Sequence, residues 1–249
     1  MKNWKQNLII FLVAFVVFVA IKVPAALVVN QLTLPENIKL GNVSGSLWQG
    51  RMDALQVERD VIRDISWDVN PWSLLTGKLG ADVDFGNPRD KQQTSGKGYL
   101  AASITGSLSA EDFTLRYPAK GSMEKAGIML PGDIDGRFIV NIDNFATGEP
   151  WCSDLVGKAR WNDAIVNSFD VKLPIGSLAA ELGCADGNVT AKVAEKNPLG
   201  LQLDATIAAK GKVTAKGFVK PGADMPTEVH EAVKILGRAD QQGRYPVSL

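Results

Sequence analysis

Apolar and polar residues alternate along most of this chain, and a period of two confines it to β-structure. Leu79, Ala81, Val83 and Phe85 alternate with Lys78, Asp82 and Asp84, and Phe113, Leu115 and Tyr117 alternate with Asp112, Thr114 and Arg116. The pattern returns at Phe138, Val140 and Ile142, at Phe169, Val171 and Leu173, at Val189, Ala191 and Val193, at Leu201, Leu203, Ala205 and Ile207, and at Val213, Ala215, Gly217 and Val219. One face of each strand is then apolar and the other wet, which predicts antiparallel sheet, because parallel strands covered on both faces read as unbroken apolar runs. Turn residues punctuate the runs at Gly86-Asn87-Pro88, Pro131-Gly132-Asp133, Ala185-Asp186-Gly187 and Asn197-Pro198-Leu199-Gly200, as a meander requires. Asn87 to Gly98 reads as an exposed loop and Arg238 to Leu249 as a polar, partly loose tail. A helix is expected near the end, with Thr227 as its cap, Val229, Val233 and Leu236 on one face, and Gly237 as its stop. The apolar sheet face must be covered, either by a sandwich or by curvature into a groove.

The amino terminus follows different rules. Leu8 to Ile21 holds no polar residue, with Leu8, Phe11, Phe15, Phe18 and Ile21 distributed along it, and apolar character resumes after Lys22 through Val29. A helix over residues 8–29 would span roughly 33 Å, enough for a bilayer core of about 30 Å. Lys2 and Lys5 precede it and no acidic residue occurs among the first 35, so the positive-inside rule places residues 1–7 in the cytoplasm, 8–29 in the membrane and a β-rich domain, 30–249, on the far side. A cleaved signal peptide would share the basic start and the apolar run, and either reading exports the bulk of the chain. A buried core helix fits poorly, since the run is apolar on every face. Export suits Cys152 and Cys184, an even pair that an oxidising compartment converts to a disulfide; two buried free thiols are the alternative.

Little in the sequence carries chemistry. Basic and acidic residues both number 27, which removes the footprint of a nucleic-acid binder. With one histidine, His230, and two cysteines, no multi-residue His/Cys metal centre can be built. Ser122-Met123-Glu124-Lys125 matches S-x-x-K, but neither S-D-N nor K-T-G follows, and a solvated loop is expected there. No G-x-S-x-G elbow accompanies His230, and Gly96-Lys97-Gly98 is only a fragment of a phosphate cradle, so nucleotide is not expected. The pairs Asp82 with Asp84 and Asp133 with Asp135 fall short of the six or more oxygens that Ca²⁺ takes. No catalytic residue, metal or cofactor is assigned.

The basic tail, the single apolar segment, Gly45-Ser46-Leu47-Trp48-Gln49-Gly50 shortly after it, Trp67 with Pro71-Trp72, and the closing Gly243-Arg244-Tyr245-Pro246 together resemble the type II secretion system protein N family. The two cysteines look like that family's pair. The resemblance covers essentially the whole chain and implies a non-enzymatic inner-membrane subunit of the machinery that moves folded proteins out of the periplasm. Its implied partners are other secretion components, inner-membrane lipid and secreted cargo. Within the motifs Gly45, Leu47, Trp48, Gly50, Gly243, Tyr245 and Pro246 read as structural, and Trp48, Trp67 and Trp72 are expected to cluster in a core near the anchored end, with a partner-binding patch as the alternative. Removing Lys2, Lys5 and Lys22 leaves 24 basic against 27 acidic residues, about −3 for the exported domain, too little for strong electrostatic steering. Recognition is then expected through shape and strand edges, with an acyl-chain trough on the apolar face as the alternative.

Overall fold

The computed structural model describes residues 4, 7–12, 15, 22–29, 31, 35, 37–58, 60–125, 132–168, 171–194, 196–209 and 211–249. Its strands are β1 (Ile38–Leu40), β2 (Val43–Gly45), β3 (Gln49–Val57), β4 (Asp60–Asn70), β5 (Lys78–Phe85), β6 (Ser95–Ser103), β7 (Leu108–Pro118), β8 (Asp133–Ala146), β9 (Asp154–Ser168), β10 (Val171–Ala185), β11 (Asn188–Val193), β12 (Gln202–Ile207), β13 (Val213–Val219) and β14 (Tyr245–Ser248). From β3 to β14 each strand pairs antiparallel with its successor, while β1 and β2 share the outer side of β3. All fourteen therefore lie in one continuous, meandering antiparallel sheet. Curvature is visible where Tyr117 on β7 donates to Asp60 on β4 at 3.3 Å. Three strand spacings of about 4.8 Å separate these strands, a gap the two side chains close only if the sheet curls.

Register explains the alternation. Lys158, Glu181, Lys192, Asp204 and Lys216 stand directly opposite one another on β9 to β13, alternating in sign along one row. One residue along, Ala159, Ala180, Val193, Leu203 and Gly217 form the matching apolar row. Opposite charges placed cross-strand fix this register, since a one-residue slip would send every charge to the apolar face. Phe169 lies outside the described residues.

The loop expected from Asn87 to Gly98 is shorter, because β6 begins at Ser95 and Gly96, Lys97 and Gly98 pair with Phe85, Asp84 and Val83. Glycine is tolerated in this strand because an aromatic ring fills the space: a Cβ on Gly96 would meet the Phe85 ring at 2.4 Å. The remaining loop folds back on the sheet, with Lys91 on Asp163 at 3.1 Å and Arg137 donating to the Pro88 carbonyl at 3.1 Å. Arg137 is buried, and desolvation together with the nearby Arg116 lowers its pKa.

Helix is scarce but exceeds the expected single segment. A 3₁₀ turn covers Pro71–Thr76, and two short α-helices follow, α2 (Ser122–Lys125) and α3 (Thr227–Ala232), after a first one, α1 (Ala25–Val29). The S-x-x-K stretch is therefore one helical turn instead of a loop, and its Ser122 hydroxyl donates to the Ala119 carbonyl at 2.7 Å as a local turn bond. Thr227 is the first residue of α3, not its cap: Pro226 occupies that position and makes no side-chain cap bond. Beyond α3 the chain tightens into a 3₁₀ turn, Val233–Leu236, ending at Gly237. Val229 joins Ala164, Leu173 and Ile175 in one core cluster, whereas Leu236 remains exposed.

The tail expected to be loose is an ordered edge strand. Asp240 accepts from the Arg244 backbone at 2.9 Å and from its Nε at 2.8 Å, and the Arg244 guanidinium lies 4.5 Å from the Phe218 ring centroid. Reciprocal bonds between Leu249 and Ala215 set the ladder, so Val247 and Tyr245 also point their N–H groups at β13. Pro246 and Ser248 face the open edge, and Pro246 has no N–H to present there.

Candidate functional site at the amino-terminal junction

Apolar residues predicted to continue one helix to Val29 do not do so. Residues 7–12, 15 and 22 are helical, but Val23 is not, and Pro24 forms an antiparallel bridge with Ser46 before α1 begins at Ala25. Proline explains the break: it offers no N–H to the preceding turn and pushes Val23 out of the helical region. Ala25 is fully buried against the sheet, so the end of the apolar stretch belongs to the domain. Leu8, Phe11 and Phe15 are exposed, and the Phe11 and Phe15 rings stack at 6.4 Å. Phe18 and Ile21 lie outside the described residues. Among the described residues no helix is long and apolar enough to cross a membrane.

The glycine-bounded motif is the socket for this junction. Gly45 and Gly50 pair across the β2–β3 hairpin, with Gly45 at φ +88°, where a side chain would be strained. Leu47 donates its N–H to the Val23 carbonyl at 3.2 Å and accepts the Trp67 indole N–H at 3.1 Å. Trp48 accepts from the Val69 N–H at 2.6 Å. Gly50 lies under the Trp67 ring, where a Cβ would meet Cζ2 at 2.2 Å. The hairpin thus ties the amino-terminal segment on one side to β4 on the other.

Trp72 does not join a core cluster with Trp67. It is 75% exposed on the 3₁₀ turn, whose start is capped by Asn70 accepting from the Trp72 N–H at 3.0 Å and whose end is closed by Gly77 in the left-handed region. Asn70-Pro71 and Gly77 carried a readable helix signature, a cap, a proline at the first position and a terminal glycine.

Beside the motif, a cavity of about 480 Å³ is lined by Gln49, Arg51, Trp67, Asp68, Asp84 and Lys97 among others. Gln49 donates to Asp68 at 2.8 Å, and Lys97 lies 3.5 Å from Asp84. Asp82 also lines it, so the cavity holds three carboxylates against Arg51 and Lys97. Among the described residues no group of three or more His, Cys, Asp or Glu side chains is arranged to hold a metal ion. Asp133 and Asp135 instead accept from the backbone at Ile134 and Gly136.

The cysteines meet at the same end of the sheet. Cys152, in the β8–β9 loop, is disulfide-bonded to Cys184 near the end of β10, with Cα atoms 5.9 Å apart. The bond reaches over β9, and Cys152 also donates its N–H to the Gly187 carbonyl at 3.0 Å. Cys152, Leu155 and Val189 form a second core cluster with Phe145 and Trp151 packed against it.

Comparison with known proteins extends these observations. Residues 36–248 match the family model described as type II secretion system (T2SS), protein N. Similar chains include the type II secretion system protein N of Aeromonas hydrophila, 32% identical with 98% of this chain and 97% of that protein covered. The protein of the same name from Vibrio cholerae is 28% identical, with 96% and 94% covered, and that from Pectobacterium carotovorum 24%, with 92% and 90% covered. No solved structure matches. With the whole sheet inside the matched region, the chain belongs to the type II secretion system protein N family.

Proposed function

We propose that this chain is a non-catalytic inner-membrane subunit of a type II secretion system, acting through contacts with other components of the machinery. The match of the entire sheet, residues 36–248, to that family carries the reading. Residues 1–7 lie in the cytoplasm, the apolar segment from Leu8 crosses the bilayer and gives way to the domain at the Val23–Pro24 break, and the sheet stands in the periplasm. The Cys152–Cys184 disulfide supports the periplasmic placement, because such bonds persist in oxidising compartments. The relatives' names speak of secretion and none of lipid transfer, so the trough reading is set aside. In a bacterium carrying this gene, deletion should leave folded exoproteins in the periplasm and lower their extracellular activity, with rescue by the full-length chain. Undiminished export at native expression would refute the assignment.

A further inference from the structure

The 3₁₀ turn Pro71–Thr76 is inside out. Its buried residue is Ser73, whose hydroxyl donates to the Asn70 carbonyl at 2.6 Å and accepts from the Gly80 N–H at 2.9 Å. All its other residues are exposed, among them the large apolar Trp72, Leu74 and Leu75, the last 80% accessible. A turn on a soluble surface shows the reverse arrangement. The display is rigid, since the Asn70 cap, Gly77 and Ser73 fix the turn at both ends and in the middle. Beside it the β6–β7 turn holds Ile104 90% exposed, its N–H bonded to the Gly77 carbonyl at 3.1 Å. Leu79 and Leu108 extend the exposed patch.

Position and charge identify what covers it. The turn follows directly on Val69 and Asn70, and Val69 is bonded to Trp48 in the hairpin that receives Val23 at the end of the apolar amino-terminal segment. The patch and the exit of that segment therefore share one end of the sheet. Neither 71–79 nor 100–108 contains Asp or Glu, and the one charge among them is Lys78, in a domain that is acidic overall. Exposed Trp and Leu with a flanking lysine and no carboxylate in either segment is the chemistry of a bilayer interface, the neighbouring carboxylate being Glu111 on β7, which lines one cavity with Trp72 and Lys78.

We infer that Trp72, Leu75 and Ile104 form a membrane-seating patch that dips into the headgroup region of the bilayer holding the amino-terminal segment, fixing the sheet end-on against the membrane. The inference rests on the amino-terminal segment being a membrane anchor.

The test uses the full-length chain in nanodiscs of phosphatidylethanolamine and phosphatidylglycerol. Both native cysteines are disulfide-bonded, so an Ile104→Cys variant offers one thiol for an environment-sensitive fluorophore. A Gln241→Cys variant, ahead of β14 at the far end of the sheet, is the control. Emission from position 104 should shift to the blue and be quenched by lipids with a headgroup-level nitroxide, while position 241 shows neither effect. Adding Trp72→Ser and Leu75→Ser should abolish both effects at 104. Water-like emission at 104 from a chain that resists carbonate extraction overturns the seating patch and leaves the anchor standing. Release of the chain by carbonate overturns the anchor itself. Shielding from iodide without quenching by the lipid nitroxide assigns the patch to a second copy of the chain and also overturns the proposal.

Discussion

Gly50→Ala isolates what the hairpin socket contributes. The added methyl would stand 2.2 and 2.6 Å from Cζ2 and Cε2 of Trp67 and 2.9 Å from the Ser46 carbonyl oxygen, all well inside contact distance. The indole cannot swing away freely, because its N–H is bonded to the Leu47 carbonyl at 3.1 Å. Overpacking of this kind costs about 1–3 kcal/mol, and loss of the indole bond adds about 1 kcal/mol. Restricting the unfolded chain returns about 0.5 kcal/mol, since Gly50 is not in the left-handed region. The net expectation is a loss of about 2–3 kcal/mol, or about 1 M in the urea midpoint at a slope of about 2–3 kcal/mol/M. The assay is urea unfolding followed by the far-ultraviolet circular dichroism of the sheet, on the parent, Gly50→Ala, Trp67→Ala and the double variant. With the ring gone, Gly50→Ala should keep only the smaller cost of its contact with the Ser46 carbonyl, giving a coupling energy of about 1–2 kcal/mol. Equal cost in both backgrounds would refute the account of Gly50 as the seat of the indole.

Two further outcomes follow from the geometry. Replacing Cys152 and Cys184 with alanine opens a 32-residue loop and should lower stability by about 3–4 kcal/mol in the chain-entropy model, read as a lower urea midpoint without dithiothreitol; an unchanged midpoint would show that the core cluster around Cys152 suffices without the bond. The Arg244 backbone N–H chiefly, with its guanidinium, holds the Asp240 carboxyl below the usual carboxylate range. Docking of β14 should therefore be complete above the ordinary aspartate pKa and weaken as pH falls through the lowered folded value. Hydrogen exchange at Tyr245, Val247 and Leu249 measures this, and Asp240→Asn should abolish the pH dependence.

Legibility in the sequence tracked how local the deciding interaction is. Strand faces were readable because alternation at Phe138, Val140 and Ile142 is a property of consecutive residues. The start of β6 was not, because Gly96 and Gly98 look like loop until pairing with neighbouring strands brings the Phe85 ring over Gly96 and the Asp112–Phe113 backbone against Gly98. The order of the last residues was hidden for the same reason: Arg244 reads as a surface charge until Phe218 lies beneath it. The break at Pro24 was visible in principle, since proline inside an apolar run predicts a bend. Its partner Ser46 was not, because nothing local links the two positions. Trp72 shows where composition misleads, as a large apolar residue in a recognisable motif suggests a core and here stands in the open.

A meander of this length is a growing crystal in one dimension, and its terminal ribbon is the face on which further copies could nucleate. Pro246 blunts that face: one of the two outward positions of β14 has a ring carbon where an incoming chain needs a donor, and Ser248 alone presents an N–H there. At the opposite margin the chain's own Pro24 lies against Ser46. Both margins of the sheet thus carry a proline where a plain strand would offer an N–H, which disfavours edge-to-edge growth between copies.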